Sequence, residues 1–148
     1  MTTLFHLSEI LKFAIEKEQE SQALYVHLAQ ATTNEKLKKT FTELAQAEKQ
    51  HEKLYEQMMH TTEKWSSTQD TAEFDDYMRE LIASSRTSVA TPSLADMHAA
   101  LNYALAREKD SILFYAGLAN YVPPKDRENI HAIIREEVKH ATILNKLF

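Results

Sequence analysis

Apolar residues recur along four stretches of the chain at alternating steps of three and four, the spacing that keeps side chains on one face of an α-helix. The first stripe is Leu7, Leu11, Ala14, Glu18, Ser21, Tyr25, Leu28, and the second is Leu37, Phe41, Leu44, Glu48, His51, Tyr55, Met58. The third is Met97, Leu101, Ala104, Glu108, Ser111, Tyr115, Leu118, and the fourth is Ile130, Ile133, Glu137, His140, Leu144, Leu147. These stripes predict helices over Ser8–Ala31, Asn34–His60, Ser93–Tyr121 and Asp126–Leu147. The breaks between them fit: Thr32-Thr33-Asn34 ends in a capping residue, Pro92–Ser93 precedes the third helix, and Pro123–Pro124 separates the third from the fourth. Connections this short set consecutive helices antiparallel.

The stretch 61–92 is too long for a tight turn and rich in Ser, Thr and Asp, which suits a crossover along a bundle. Within it Asp70 and Glu73 have the spacing of a cap and its partner. Phe74, Tyr77, Met78, Leu81 and Ile82 then form a short amphipathic pattern. A long connection between the second and third helices is the ferritin-like topology. The expected architecture is an all-α antiparallel four-helix bundle, one domain over 1–148, with helix pairs at about 8–60 and 93–147 and the crossover at 61–92. Trp65 reads as an anchor of the crossover on the bundle, with a homodimer contact as the alternative.

Composition narrows the chemistry. A chain of 148 residues has the size of one domain, and one Gly with three Pro leaves little material for hairpins or Gly-rich phosphate loops. The absence of Cys excludes disulfides, thiolate nucleophiles and cysteine-ligated iron centres within this sequence, so any metal must sit on His and carboxylate. Net charge is −5 and no Lys/Arg cluster suggests a nucleic-acid face. No apolar window reaches the ~18 residues of a membrane span, and no signal peptide is visible, so a cytoplasmic location and no membrane partner are expected.

An internal repeat carries the most information. Residues 14–25, AIEKEQESQALY, align without gaps on residues 104–115, ALAREKDSILFY, and Glu48-Lys-Gln-His51 is matched by Glu137-Val-Lys-His140. Every stripe is thus interrupted near its middle by a Glu, and two stripes add a His one turn later. Four carboxylates converging in an apolar core would repel one another and lose hydration, at several kcal/mol per ion. No Lys or Arg on the stripes offsets them, so protons or metal must. Two divalent ions would balance four carboxylates, with two neutral imidazoles as further donors. Of the 22 acidic residues, these four set aside leave 18 against 17 basic, so the acidic excess lies inside. In Glu-x-x-His the two side chains stand on adjacent turns of one face, ~5–6 Å apart at Cβ, within reach of one ion. Two such motifs plus one Glu from each remaining helix make the donor set of di-iron and di-manganese carboxylate bundles.

Through residues 14–25, 48–51, 104–115 and Glu136-Glu-Val-Lys-His140, the chain resembles a short member of the rubrerythrin-type branch of the ferritin-like superfamily, over nearly its whole length. The resemblance implies that Glu18, Glu48, His51, Glu108, Glu137 and His140 are metal ligands, with Glu48 and Glu137 bridging two ions. It favours iron, while manganese and zinc suit the same donors. Two departures stand out. A rubredoxin domain needs Cys, which this sequence lacks, so an external electron donor is expected. Rubrerythrins also carry a further carboxylate one turn after the third-helix ligand, where this chain has Ser111.

Other candidates have quieter readings. Tyr25, Tyr55 and Tyr115 share the stripes as buried hydroxyls, hydrogen-bond partners of the carboxylates, or redox groups, and no catalytic side chain is singled out. Ser21 and Ser111 read as small residues making space. His6, His27, His60, His98 and His131 lack partners at ligand spacing and read as surface. Glu16, Glu20, Glu52 and Glu136 read as the solvated face, Glu136 reaching inward only if the fourth helix is rotated by one position. The leading function is a non-haem di-iron redox protein reacting with dioxygen or peroxide, peroxidase- or ferroxidase-like. Fe(II) oxidation and iron handling without an organic substrate is the alternative, and a metal-stabilised bundle serving as an interaction module is a third.

Overall fold

The computed structural model describes residues 7–61, 76–80, 82–83, 93 and 95–148. Four long helices carry the fold: α1 (Leu7–Ala31), α2 (Glu35–Thr61), α3 (Met97–Leu118) and α4 (Pro124–Asn145). Among the described residues there is no strand. The stripes face inward: all seven α1 positions are buried, as are the α2 positions from Phe41 to Met58. Leu101 to Leu118 of α3 and Ile130 to Leu144 of α4 are buried likewise at the stripe positions.

Local chemistry sets the helix ends. Asn34 Oδ1 accepts from the backbone N–H groups of Lys36 and Leu37 at 3.0 and 3.1 Å, satisfying two of the free donors at the start of α2. The third helix begins at Met97, not at Ser93. Ser93 Oγ accepts from Ala95 N at 3.3 Å and its carbonyl from Asp96 N, closing a turn, while Asp96 Oδ1 accepts from Ala99 N at 3.1 Å and caps α3. That helix also stops at Leu118 instead of Tyr121, because the N–H groups of Asn120 and Tyr121 bond back to Gly117 and Leu118 in tight turns. Pro124 then opens α4 in the first turn, where a missing N–H costs nothing.

Within each pair, α1 with α2 and α3 with α4, the backbones approach closely along their length. Between pairs, α1 meets α3 and α2 meets α4 with fewer close backbone approaches. The wider seam is filled by side chains in three layers. One apolar cluster gathers Leu11, Tyr55, Met58, Phe114, Leu118, Ile130 and Ile133. The other gathers Leu28, Phe41, Leu44, Leu101, Ala104 and Leu144. The interrupting Glu and His residues fall between these clusters in the sequence of every helix. Met78, in the helical piece at 76–80 and 82–83, is fully buried in the first cluster, so the crossover is anchored on the bundle there. Trp65, the Asp70–Glu73 pair, Phe74 and Leu81 lie outside the described residues.

Candidate metal centre

The middle layer brings together Glu18 of α1, Glu48 and His51 of α2, Glu108 of α3, and Glu137 and His140 of α4. The four Glu are at most 2% exposed, His51 1% and His140 6%. They form two groups, Glu18, Glu48, His51, Glu137 and Glu48, Glu108, Glu137, His140, and within each group one donor atom per residue lies within 4.8 Å of all the others. Glu48 and Glu137 belong to both. Each imidazole presents Nδ1 to the carboxylates: His51 Nδ1 is 2.8 Å from Glu137 and 3.6 Å from Glu18, and His140 Nδ1 is 2.8 Å from Glu48 and 3.6 Å from Glu108.

Among the described residues, Glu18 Oε2, Glu48 Oε1, His51 Nδ1, Glu108 Oε2, Glu137 Oε1 and His140 Nδ1 are buried without a partner in hydrogen-bond geometry. Buried polar atoms are normally satisfied, and a cluster of lone pairs facing one another calls for a cation. The donors fit a metal pair, with anionic oxygens outnumbering nitrogens and a carboxylate from each half available to both ions. Without metal, protons must do the work. Burial, with Glu18 and the other carboxylates nearby, raises Glu48 well above the ordinary carboxylate range, and burial with Glu108 nearby does the same to Glu137. Burial opposes a charge on His51, yet close contacts with Glu137 and Glu18 prevail and push it up to about 11. Glu108 is lowered despite burial, through its contacts with Glu137, His140 and Tyr25.

The tyrosines divide. Tyr25 of α1 donates to Glu108 of α3 at 2.5 Å, and Tyr115 of α3 donates to Glu18 of α1 at 2.6 Å, a reciprocal pair across the seam. Burial holds both phenols well above their ordinary pKa, so they stay donors. Among the described residues Tyr55 bonds to no carboxylate: it packs in the first apolar cluster, its ring centre 5.0 Å from that of Tyr115, with its hydroxyl buried and unpartnered there. Ser21 and Ser111 are buried beside the carboxylates, and Ser21 accepts from Arg107 at 3.2 Å.

A family model described as rubrerythrin matches residues 7–95, which hold α1, α2 and the crossover. The chain belongs to the rubrerythrin family. Its fold is similar to a crystal structure from Thermotoga maritima, provisionally described as a ferritin-like diiron-carboxylate protein. The TM-score is 0.70 and the identity 25%, over 99% of this chain and 97% of that one. No curated protein matches significantly. The rubrerythrin match fits the ferritin-like bundle, and among the described residues no helix is long and apolar enough to cross a membrane.

Two residues outside the stripes also lie against the buried layer. Glu136 was expected on the solvated face unless α4 rotated. It is 51% exposed yet places Oε2 2.5 Å from His51 Nε2 with α4 in its expected phase. Lys17, beside Glu18, is buried, its ammonium 5.7 and 6.0 Å from the Phe13 and Phe114 ring centres and its pKa lowered by burial and by Arg107. The other carboxylates are peripheral: Glu16 is exposed, Glu20 pairs with Arg107 at 3.3 Å, and Glu52 accepts from Gln19 and Gln22. His27, His60, His98 and His131 are exposed, and His6 lies outside the described residues.

Proposed function

We propose that this rubrerythrin-family chain is a non-haem di-iron redox protein that reacts with dioxygen or peroxide. Glu18 and His51 would hold one ion, Glu108 and His140 the second, and Glu48 and Glu137 both. The observation that carries the reading is the overlap of two four-donor groups in Glu48 and Glu137, with their donor atoms otherwise unsatisfied in the core. Bound iron supplies the one-electron chemistry between ferrous and ferric states that no side chain here provides.

The chain's own residues do the rest. Four carboxylates neutralise two divalent ions without help from Lys or Arg. Tyr25 and Tyr115 restrain Glu108 and Glu18 by hydrogen bonds, so the two unshared carboxylates are oriented from the opposite helix. The apolar clusters on either side keep bulk water from the donors, which strengthens every charge interaction within the layer. These 148 residues have no Cys, so no cysteine-ligated iron centre among them can supply the electrons.

Ser111 favours a second emphasis. It is buried on the stripe between Glu108 and Tyr115, neutral and short where rubrerythrins carry an additional carboxylate. An anionic side chain there could follow an ion as its charge changes, and a serine hydroxyl cannot. Peroxide turnover should therefore be attenuated relative to Fe(II) oxidation. Protein purified without air should contain two iron ions per chain by metal analysis, with optical and paramagnetic resonance spectra of a coupled pair. The iron-loaded protein is then exposed separately to dioxygen and to peroxide with a supplied reductant. A redox-inert, zinc-filled bundle overturns the reading. Rapid peroxide reduction that Ser111→Glu leaves unchanged overturns only the role given to Ser111.

A further inference from the structure

We propose that Glu136 is a positioning residue for His51 and makes the two halves of the centre unequal, so that the Glu18–His51 side binds its ion first and more tightly than the Glu108–His140 side. The inference rests on the metal-centre reading above and adds an order of loading to it.

Both imidazoles turn Nδ1 toward the carboxylates. A neutral imidazole offers a lone pair at Nδ1 only when its proton sits on Nε2, and the partner of that second nitrogen decides which tautomer is held. For His51 the partner is Glu136, an acceptor 2.5 Å from Nε2. A carboxylate there fixes the Nε2–H tautomer, holds the ring plane and makes Nδ1 a stronger donor to metal. His140 has no equivalent. The repeat that pairs Glu48 with Glu137 pairs Glu136 with Ala47, so α2 offers a methyl group where α4 offers a carboxylate. Among the described residues no hydrogen bond to His140 Nε2 is formed, although Glu43 and Lys139 line the same surface pocket as His140. His51 is also the more deeply buried, at 1% against 6% exposed. One side of the centre is thus pre-organised by a charged hydrogen bond and the other must order its imidazole as the ion arrives.

Cobalt(II) added stepwise to the metal-free protein, followed by visible absorption and by calorimetry, tests this without reference to turnover. The native chain should show two resolved binding steps. Glu136→Ala should weaken the first step by about 10–100-fold and leave the second nearly unchanged, so that the steps merge. Glu136→Gln, whose amide oxygen can still accept from Nε2–H, should recover part of that loss. Glu136 is half exposed, and matching circular dichroism of the metal-free proteins verifies folding. If Glu136→Ala leaves the two steps as they are, or weakens both equally, the inequality is overturned and the metal centre stands. If Glu136→Gln binds as weakly as Glu136→Ala, the positioning role is overturned. If the native chain binds fewer than two ions, the metal-centre reading itself fails.

Discussion

The two helix pairs share one plan and differ in what surrounds it. Glu18, Ser21 and Tyr25 of α1 recur as Glu108, Ser111 and Tyr115 of α3, and Glu48 and His51 of α2 recur as Glu137 and His140 of α4. These repeated residues form the inner layer, and their contacts are reciprocal: each tyrosine bonds the opposite pair's Glu, and each imidazole meets the opposite pair's shared Glu. The positions where the repeat fails lie one step outward. Glu136 answers to Ala47, and Tyr55, four residues after His51, answers to Leu144, four residues after His140. The comparison teaches that the charge balance of the core demands both halves, since neither pair alone supplies the donors for two ions, whereas the outer contacts are free to differ and do.

The largest expected effect comes from breaking the shared part. The ions would join two pairs whose backbones meet sparsely, so removing them takes away a link across the seam and leaves the apolar clusters and the Tyr–Glu hydrogen bonds to hold it. Verified chelation near neutral pH should lower the melting temperature. For an ion present at about 100 times its Kd the lost stabilisation is about 2.7 kcal/mol, or roughly 5–10 °C for a chain of this size. Glu48→Ala and Glu137→Ala, taken singly, should each leave fewer than two ions bound and lower the melting temperature to a similar degree. An unchanged melting temperature after chelation would show that the centre is not coupled to folding. Unequal losses in the two variants would show that the inner layer is less symmetric than its contacts.

A smaller effect separates the loaded and metal-free states by pH. In the metal-free bundle Glu48 and Glu137 are raised above 4.5 by burial and neighbouring carboxylates, and His51 is pushed up to about 11 against the pull of burial. A group whose pKa is raised on folding stabilises the fold below its unfolded value and loses that contribution as pH rises through the folded value. Metal-free stability should therefore fall as pH rises from the carboxylate range toward about 11, with Glu108, lowered, opposing in part. Metal binding requires ionised Glu and neutral His, so the loaded protein should lose stability in the other direction, as pH falls. The gap between the two melting temperatures should widen with pH. Thermal denaturation with and without chelator, from acid to alkaline buffer, would contradict this if the two curves ran parallel.

The inner layer was legible in the sequence because the helical repeat keeps residues three and four apart on one face, so a Glu interrupting an apolar stripe has nowhere to go but inward. The α1–α2 connection was legible too, since Asn34 is the only strong cap at that break. The start of α3 was not: Ser93 and Asp96 are both capping residue types, and only the competing turn at Ser93 shows which one opens the helix. Glu136 escaped for a different reason. It precedes Glu137 and so stands about 100° around the helix, on a face that reads as solvent for α4 alone. Its partner, His51, belongs to a helix that no periodicity in α4 can locate. Lys17, which the sequence did not single out, is buried for a similar reason: its ammonium lies near aromatic rings contributed partly by α3.

The smallest effect is that of Tyr55→Phe, set against the other two buried tyrosines, and it returns to the place where the repeat fails. Tyr25→Phe and Tyr115→Phe each remove a hydrogen bond to a buried carboxylate, worth about 1.5–3 kcal/mol where the acceptor is charged. Their reciprocal geometry predicts similar losses. Tyr55 has no such bond among the described residues: its hydroxyl is buried without a partner there, and a buried hydroxyl without a hydrogen bond costs stability. Tyr55→Phe keeps the ring and its 5.0 Å contact with Tyr115 while removing only that hydroxyl, and so should be neutral or stabilising by about 1 kcal/mol. This agrees with an apolar Leu144 at the corresponding place in the other half. Denaturant unfolding of the three variants in the loaded form measures the ordering directly. A clear loss in Tyr55→Phe would mean that its hydroxyl is satisfied in the loaded protein, and the two halves would then differ in a contact to the centre itself and not merely in the packing around it.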